Sequence, residues 1–361
     1  MEKSLYLEYV QRYFPMLVTS IVERINEKRA NQLPYLYKTL LNPTFSADGR
    51  WASVLAEYNR VAADVVALDS ELPLKSRDAV ETASGDIPKL GMKLYLTEKQ
   101  MKDIDAMIAQ GLSINQIVNK IFSDLPRCIE GVYERIEDIF LSMLSTGVGL
   151  STRNNGTGIR INVGYFDANK FGVVTEWANS EIATPIDDVQ KAFDKALEDQ
   201  NTITDVWMDD FALRNFYKSK QVREQYAFDN KVTVAGGTVP SLDFDKAGQV
   251  FQTKWGVTLH RVARKIKTEL NGVKQSHSPW QEGMVVFTCN EVLGDLVWTN
   301  TAEMTRPVGG VEYQTSDEFI LLSKYSKNDP LREFTSSQAM VIPIINNVDA
   351  IYTLDSKTVQ G

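Results

Sequence analysis

The chain has 361 residues, 43% of them apolar and 24% charged, with a formal net charge of -8 and a pI near 5.1. A chain of this length supports a sizeable core split into roughly two or three units, and its composition is that of a globular protein. The acidic balance excludes a dedicated nucleic-acid reader, which needs a basic stripe. No window approaches the roughly eighteen consecutive apolar residues of a membrane-spanning helix.

The opening segment carries Glu2, Glu8 and Arg12 and has no small-residue cleavage site, so it is not a signal peptide. Leu7, Val10, Phe14, Val18, Ile21 and Ile25 recur at helical spacing, and Pro15 is expected to kink or split that helix. Such a helix either packs on its own domain or serves as an arm that docks on a partner. Its mixed charges disfavour a membrane surface. Residues 30–50 read as an extended connector punctuated by Pro and Asn.

The stretch from Val61 to Leu96 reads as a long two-stranded ribbon. VAADVVAL (61–68) goes out, and KLGMKLYL (89–96) returns with Leu90, Met92, Leu94 and Leu96 on one face and Lys89, Lys93 and Tyr95 on the other. An isolated two-stranded hairpin is marginal in water, so its apolar face is expected to lie on a second copy of the chain.

Thr97-Glu-Lys-Gln100 fits a capping box that opens a helical region carrying Ile104, Met107, Ile108, Leu112, Ile114, Ile117, Ile121 and Phe122. After Ser123-Asp-Leu-Pro126 the period resumes, predicting a buried helix from about Leu125 to Ser145 that ends on Gly147. Beyond it the order is mixed. Strands are predicted at Gly158–Phe166, Gly172–Trp177 and ITDVWMDD, and helices at PIDDVQKAFDKALEDQ and FALRNFYKSKQVREQYAF. Strands and turns follow Lys231, and two short terminal strands are expected to be separated by Pro343.

Chemistry is sparsely signalled. His260 and His277 have no ligand partners at metal spacing, no phosphate loop or nucleophile elbow occurs, and Cys128 and Cys289 offer no disulfide framework. Neither a cofactor nor a catalytic centre is expected. Asp209-Asp210 falls where a strand meets a helix and reads as a cap rather than an acid/base pair. The run His260–Lys267, with Arg261, Arg264, Lys265 and Lys267, reads as a solvated face, with contact to phosphates or an acidic neighbour as the alternative, and Trp207, Trp255, Trp280 and Trp298 as core or interface anchors.

Several segments taken in order resemble the major capsid proteins of tailed bacteriophages, in particular the lambda-type capsid protein E group. They are DSELPLKSRDAVETASGDIPKLGMKLYLTEKQM, ERIEDIFLSMLSTGVG, SEIATPIDDVQKAFDKAL with ITDVWMDDFALRNFYKSKQVREQY, NEVLGDLVWTNTAEM, and NDPLREF with SSQAMVIPIINNVDAIYTL. The match spans about residues 51–357, and its specificity lies in the succession rather than in any one motif. The resemblance implies an α+β Hong Kong 97-like capsid fold. It implies an N-terminal arm (1–50), an extended loop (51–98), a peripheral domain with a spine helix (99–171 and 327–361) and an axial domain (172–326). It further implies a non-enzymatic subunit of a virion, assembled in the host cytoplasm into hexamers and pentamers. The expected partners are other copies of itself, a portal, a separate scaffolding protein and possible decoration proteins. Packaged double-stranded DNA would be held only weakly, and no membrane is involved. Leu72, Lys75, Arg77, Lys89, Leu90, Met92, Lys93 and Leu94 are the expected inter-subunit contacts. An encapsulin-like nanocompartment shell and a soluble α/β enzyme are the alternatives.

Overall fold

The computed structural model describes residues 2–27, 33–56, 80–151, 159–231, 241–270 and 272–360. The outgoing strand expected at 61–68 and most of the segment KVTVAGGTVP lie outside the described residues. The first elements are α1 (Leu7–Asn26), α2 (Tyr37–Leu40), β1 (Leu41–Phe45), β2 (Arg50–Ala56), β3 (Val80–Asp86) and β4 (Lys89–Leu96). Next come α3 (Glu98–Ala109), α4 (Ile114–Ile121), α5 (Leu125–Thr146), β5 (Val148–Ser151), β6 (Ile159–Asn162) and β7 (Lys170–Val173). The middle holds α6 (Pro185–Glu198), β8 (Asp205–Asp209), α7 (Asp210–Lys218), α8 (Lys220–Asp229), α9 (Phe244–Trp255), β9 (Thr258–Val262), β10 (Ile266–Leu270) and β11 (Val273–His277). The chain closes with β12 (Met284–Thr288), β13 (Gly294–Thr299), α10 (Ala302–Thr305), β14 (Glu312–Ser316), β15 (Ile320–Lys327), β16 (Arg332–Ile345) and β17 (Ile351–Val359).

These elements form two compact units. One comprises Met1–Trp51, Gly85–Glu137 and Asp295–Pro343, and the other Ala52–Ser84, Asp138–Gly294 and Ile344–Gly361. The division differs from the domain limits drawn on the sequence, for a reason of strand pairing. β15 and β16 are antiparallel neighbours over eight residue pairs, so residues 320–327 belong with the first unit. β17 pairs with β12 and β7, which takes the C-terminus into the second unit.

The first unit is built on a six-stranded sheet ordered β1-β13-β16-β15-β14, with β4 also paired to β16. Pro343 does not break β16. It lies beyond Ala339, the last residue paired to β15, so on that side, away from β13, a missing N–H costs little. The chain turns instead at Asn347, in the left-handed region at φ 52°. Residues 41–45 of the expected connector enter this sheet as β1.

Helix α1 also packs on this unit, so these residues form no free arm. Val10, Phe14, Val18 and Ile21 are buried, Phe14 stacks on Phe122 at 5.8 Å, and Gln11 donates to Glu312 on β14 at 3.0 Å. Pro15 sits inside the helix on its exposed side, facing away from the unit.

In the second unit the sheet order is β7-β17-β12-β8-β9. Val206, Met208, Leu259, Val285, Phe287, Tyr352 and Leu354 point to one side, where they meet Val189 and Ala192 of α6, Leu213 and Phe216 of α7, and Val250 and Phe251 of α9. The helix read across 211–228 is two helices. Ser219 ends α7 and caps α8 by accepting from the Val222 N–H at 3.3 Å.

The capping box at the head of α3 forms as its sequence dictates: Thr97 accepts from the Gln100 N–H, and Gln100 Oε1 accepts from the Thr97 N–H at 2.9 Å. Thr97→Ala is expected to cost about 1 kcal/mol, read as a lower midpoint in urea with an unchanged m-value.

Candidate assembly surface

β4 is the return strand of the expected ribbon, and the structure corrects its placement. It is paired to β16 of its own chain from Leu96↔Glu333 to Lys89↔Met340. The alternation read from the sequence holds: Leu90 and Leu96 are buried, Met92 and Leu94 half-buried, and Lys89, Lys93 and Tyr95 exposed. The apolar face is turned onto the chain's own α5, where Gly131 leaves room for the Met92 sulfur. Cys128 on the same helix reaches the Thr335 carbonyl of β16 at 3.6 Å. The stretch paired as an isolated two-stranded ribbon is β2–β3 instead, and at its base Gly85 lets the Trp51 indole cross where a Cβ would meet Nε1 at 2.9 Å.

The other face of the first sheet carries an aromatic row. Tyr95, Phe334 and Tyr325, on three neighbouring strands, lie 5.8 and 5.3 Å apart, with Arg332 at 4.0 Å over Tyr95 and Lys93 at 5.7 Å over Phe334. Beside it lies a groove of about 490 Å³, lined by Lys89, Lys93, Val308, Val311, Tyr313 and Tyr325 among others. Lys89 pairs with Glu303 at 3.1 Å. Of the expected contact residues, Leu72, Lys75 and Arg77 lie outside the described residues, Lys89 and Lys93 edge this groove, and Leu90, Met92 and Leu94 face inward.

What holds this surface in place is a buried ion pair that the sequence did not reveal. Lys324 and Glu333 are both fully buried, 3.8 Å apart on β15 and β16. The ammonium also donates to the Ile121 carbonyl and to Thr335 Oγ1, each at 3.1 Å. Glu333 accepts from Ser4 Oγ at 2.5 Å and from the Leu5 N–H at 3.0 Å, while Glu2 bridges to Ser326. The residues preceding α1 are thus stitched to the sheet.

A second stitch fixes the connector. Glu137 of α5 accepts from the Leu36 and Tyr37 N–H groups at 3.0 and 3.1 Å, and Tyr35 donates to Glu134 at 2.9 Å. Lys38 lies 3.7 Å over the Tyr133 ring and 3.3 Å from Asp317, to which the Tyr133 hydroxyl also donates.

The groups weighed for chemistry have structural work. Asp209 caps α7 through the Ala212 N–H at 2.9 Å, and burial raises its pKa. Asp210 is held below the usual carboxylate range by its hydrogen bond with Arg261, whose Nε is 2.5 Å away. Both histidines pair with carboxylates, His260 with Asp205 at 2.6 Å and His277 with Asp138 at 2.7 Å. These pairs are separated in sequence by 55 and 139 residues, which is why spacing could not find them. Burial pushes the Cys128 and Cys289 thiols up to about 12, which keeps them un-ionised. Among the described residues no group of three or more His, Cys, Asp or Glu could hold a metal, and no helix is long and apolar enough to cross a membrane.

Neither a protein-family model nor a curated protein sequence matches the chain. Solved structures do. A protein assigned as the capsid protein of a prophage of E. coli CFT073 matches with a TM-score of 0.59 at 12% identity, over 94% of this chain and 98% of its own. The capsid of cyanophage A-1(L) matches with a TM-score of 0.51 at 10% identity, over 92% and 96%. A phage-related protein of Bordetella bronchiseptica RB50 matches with a TM-score of 0.50 at 12% identity, over 94% and 96%. The chain therefore has the α+β fold of tailed-phage capsid proteins, the Hong Kong 97 type.

Removing one partner of the buried pair leaves a charge without compensation. Glu333→Ala is expected to cost about 3–5 kcal/mol, measured by chemical denaturation. Burial lowers the Lys324 pKa from its ordinary 10.5. The unfolded chain then holds that proton more tightly, so this group makes stability rise with pH between the lowered value and 10.5. Lys324→Met is expected to flatten that part of the stability–pH curve relative to wild type.

Proposed function

We propose that the chain is the major capsid protein of a tailed bacteriophage. Copies contact one another head-to-tail, close into rings of six and five, and tile an icosahedral head around double-stranded DNA. The observation that carries this reading is the likeness to the prophage protein over nearly the whole of both chains, 94% and 98%. A heterologous interface whose rotation closes gives a ring, and each stable contact of that kind buries on the order of 1,600 Å².

In this reading β2–β3 is the stem of the extended loop, with Leu72, Lys75 and Arg77 farther along it. Lys89 and Lys93 border the groove that receives a neighbour. Leu90, Met92 and Leu94 act indirectly, fixing β4 against α5 so that the lysines project. The formal charge of -8 keeps the shell from gripping its packaged genome. A portal and a separate scaffolding protein are the further partners this role requires, and decoration proteins are optional ones. The virion is the destination, and the host cytoplasm the place of assembly.

Electron microscopy of the purified or co-expressed protein tests the reading. Closed shells or ring-shaped capsomers are the expected result, and a monomer at high concentration under every condition tried is the result that sinks it. Lys93→Glu is expected to leave thermal unfolding within about 2 °C of wild type, as for other exposed substitutions, while reducing assembly seen by sedimentation.

A further inference from the structure

We propose that the β10–β11 hairpin is a second inter-subunit arm, a basic ribbon that inserts against an acidic face of a neighbouring copy of this chain. The proposal rests on the shell reading above and adds to it a contact on the other compact unit. β10 and β11 pair only with each other, from Ile266↔His277 to Leu270↔Val273, as a two-stranded sheet with both outer edges unpaired among the described residues. Five residues per strand reach about 15 Å. Every residue of β11 is exposed, and Val273 near the tip is 59% exposed. Gly272 takes a positive φ of 78° at the turn.

A ribbon of this kind is marginal in water without a third layer, and its free edges invite pairing. The base, by contrast, is firmly held. Ile266 is buried, His277 Nε2 lies 2.7 Å from Asp138 on α5, and Trp280 Nε1 donates to the Met284 carbonyl at 3.0 Å. The Gln281 N–H donates to Ser145 Oγ at 3.1 Å. A rigid root beneath an uncovered ribbon presents a fixed shape to a partner rather than a flexible tail.

Charge identifies that partner. Residues 264–277 hold four cations, Arg264, Lys265, Lys267 and Lys274, against the single carboxylate Glu269, in a chain whose formal charge is -8. The remainder of every copy is therefore strongly acidic, and a basic ribbon on one copy is complementary to the body of the next. Head-to-tail closure needs two unlike patches on each subunit, and the ribbon supplies one of them.

The test uses the full-length protein under conditions in which wild type assembles. Lys267→Glu with Lys274→Glu reverses the charge, and Val273→Ser separately removes the apolar tip. Because these positions are exposed, both proteins should unfold within about 2 °C of wild type. The expected result is at least a tenfold rise in the concentration needed for assembly of the charge-reversed protein, by sedimentation and electron microscopy, and a smaller rise for Val273→Ser. Wild-type assembly should weaken with added salt, and that dependence should shrink on charge reversal. Assembly of the charge-reversed protein at the wild-type concentration overturns the proposal. So does normal assembly coupled with lost binding to a random-sequence DNA duplex, which would make the ribbon a genome contact. If wild type itself never assembles, the shell reading fails and this inference with it. If wild type assembles and both variants match it, only the ribbon's role is refuted.

Discussion

A helix buried on nearly every side must be covered on every side, and α5 imposes that demand on this fold. Cys128, Ile129, Tyr133, Ile136, Ile139, Phe140, Leu141, Met143 and Leu144 are all fully buried. Together with the buried polar Glu137, Asp138 and Ser145 they spread round most of the axis rather than along one narrow stripe. β4 supplies Met92 to one side of the helix, and the connector at Tyr35–Tyr37 closes another through Glu134 and Glu137. Toward its C-terminal end, Tyr165 donates to the Leu144 carbonyl at 3.1 Å. Segments remote in sequence are drawn to the helix because leaving any one of its faces in water would expose large apolar side chains at about 25 cal/mol per Å².

The price of such a core is that polar groups are trapped within it. Lys324 and Glu333 are tolerated because each finds several partners: a carbonyl, a hydroxyl, a backbone N–H and each other. A hydrophobic pair could hold the same strands at least as well. What the ion pair adds is direction, since Ser4 donates to Oε1 of Glu333, the oxygen facing Lys324, and the Leu5 N–H to Oε2, a pairing that one register of the N-terminal segment satisfies. The N-terminal segment is thereby fixed in a single position on the sheet.

The same physics explains what was legible in the sequence. The limits of α5 were readable to within a residue because a helical period was bounded by local signals: Pro126 in the first turn and Gly147 with a φ of 74° beyond the last. The capping box at Thr97 and the cap at Asp209 are local in the same way. Errors arose where a local signal was outvoted by tertiary pairing. Pro343 looked like a break but lies past the end of the β15 pairing, Ser219 looked like a helix interior but caps a new helix, and Lys89–Leu96 looked like half of a lone ribbon but has β16 beside it. Lys324 and Glu333 were illegible because nothing local to KYSK or REF marks either charge as buried until β15 and β16 bring them together.

Correcting β4 shifts the argument about uncovered surface rather than removing it. The apolar alternation at Leu90–Leu96 is answered within the chain by α5. Among the described residues two ribbons have no such answer: β2–β3, whose strands pair there only with one another, and β10–β11, whose second strand is wholly exposed. β11, VKQSH, is polar apart from Val273 and carries no apolar stripe comparable to Leu90–Leu96. An arm that is mostly polar and charged costs little in isolation and gains from a complementary surface through electrostatics and backbone pairing. On the proposed shell reading, adhesion between subunits falls to ribbons rather than to the residues packed on α5 that stabilise each subunit.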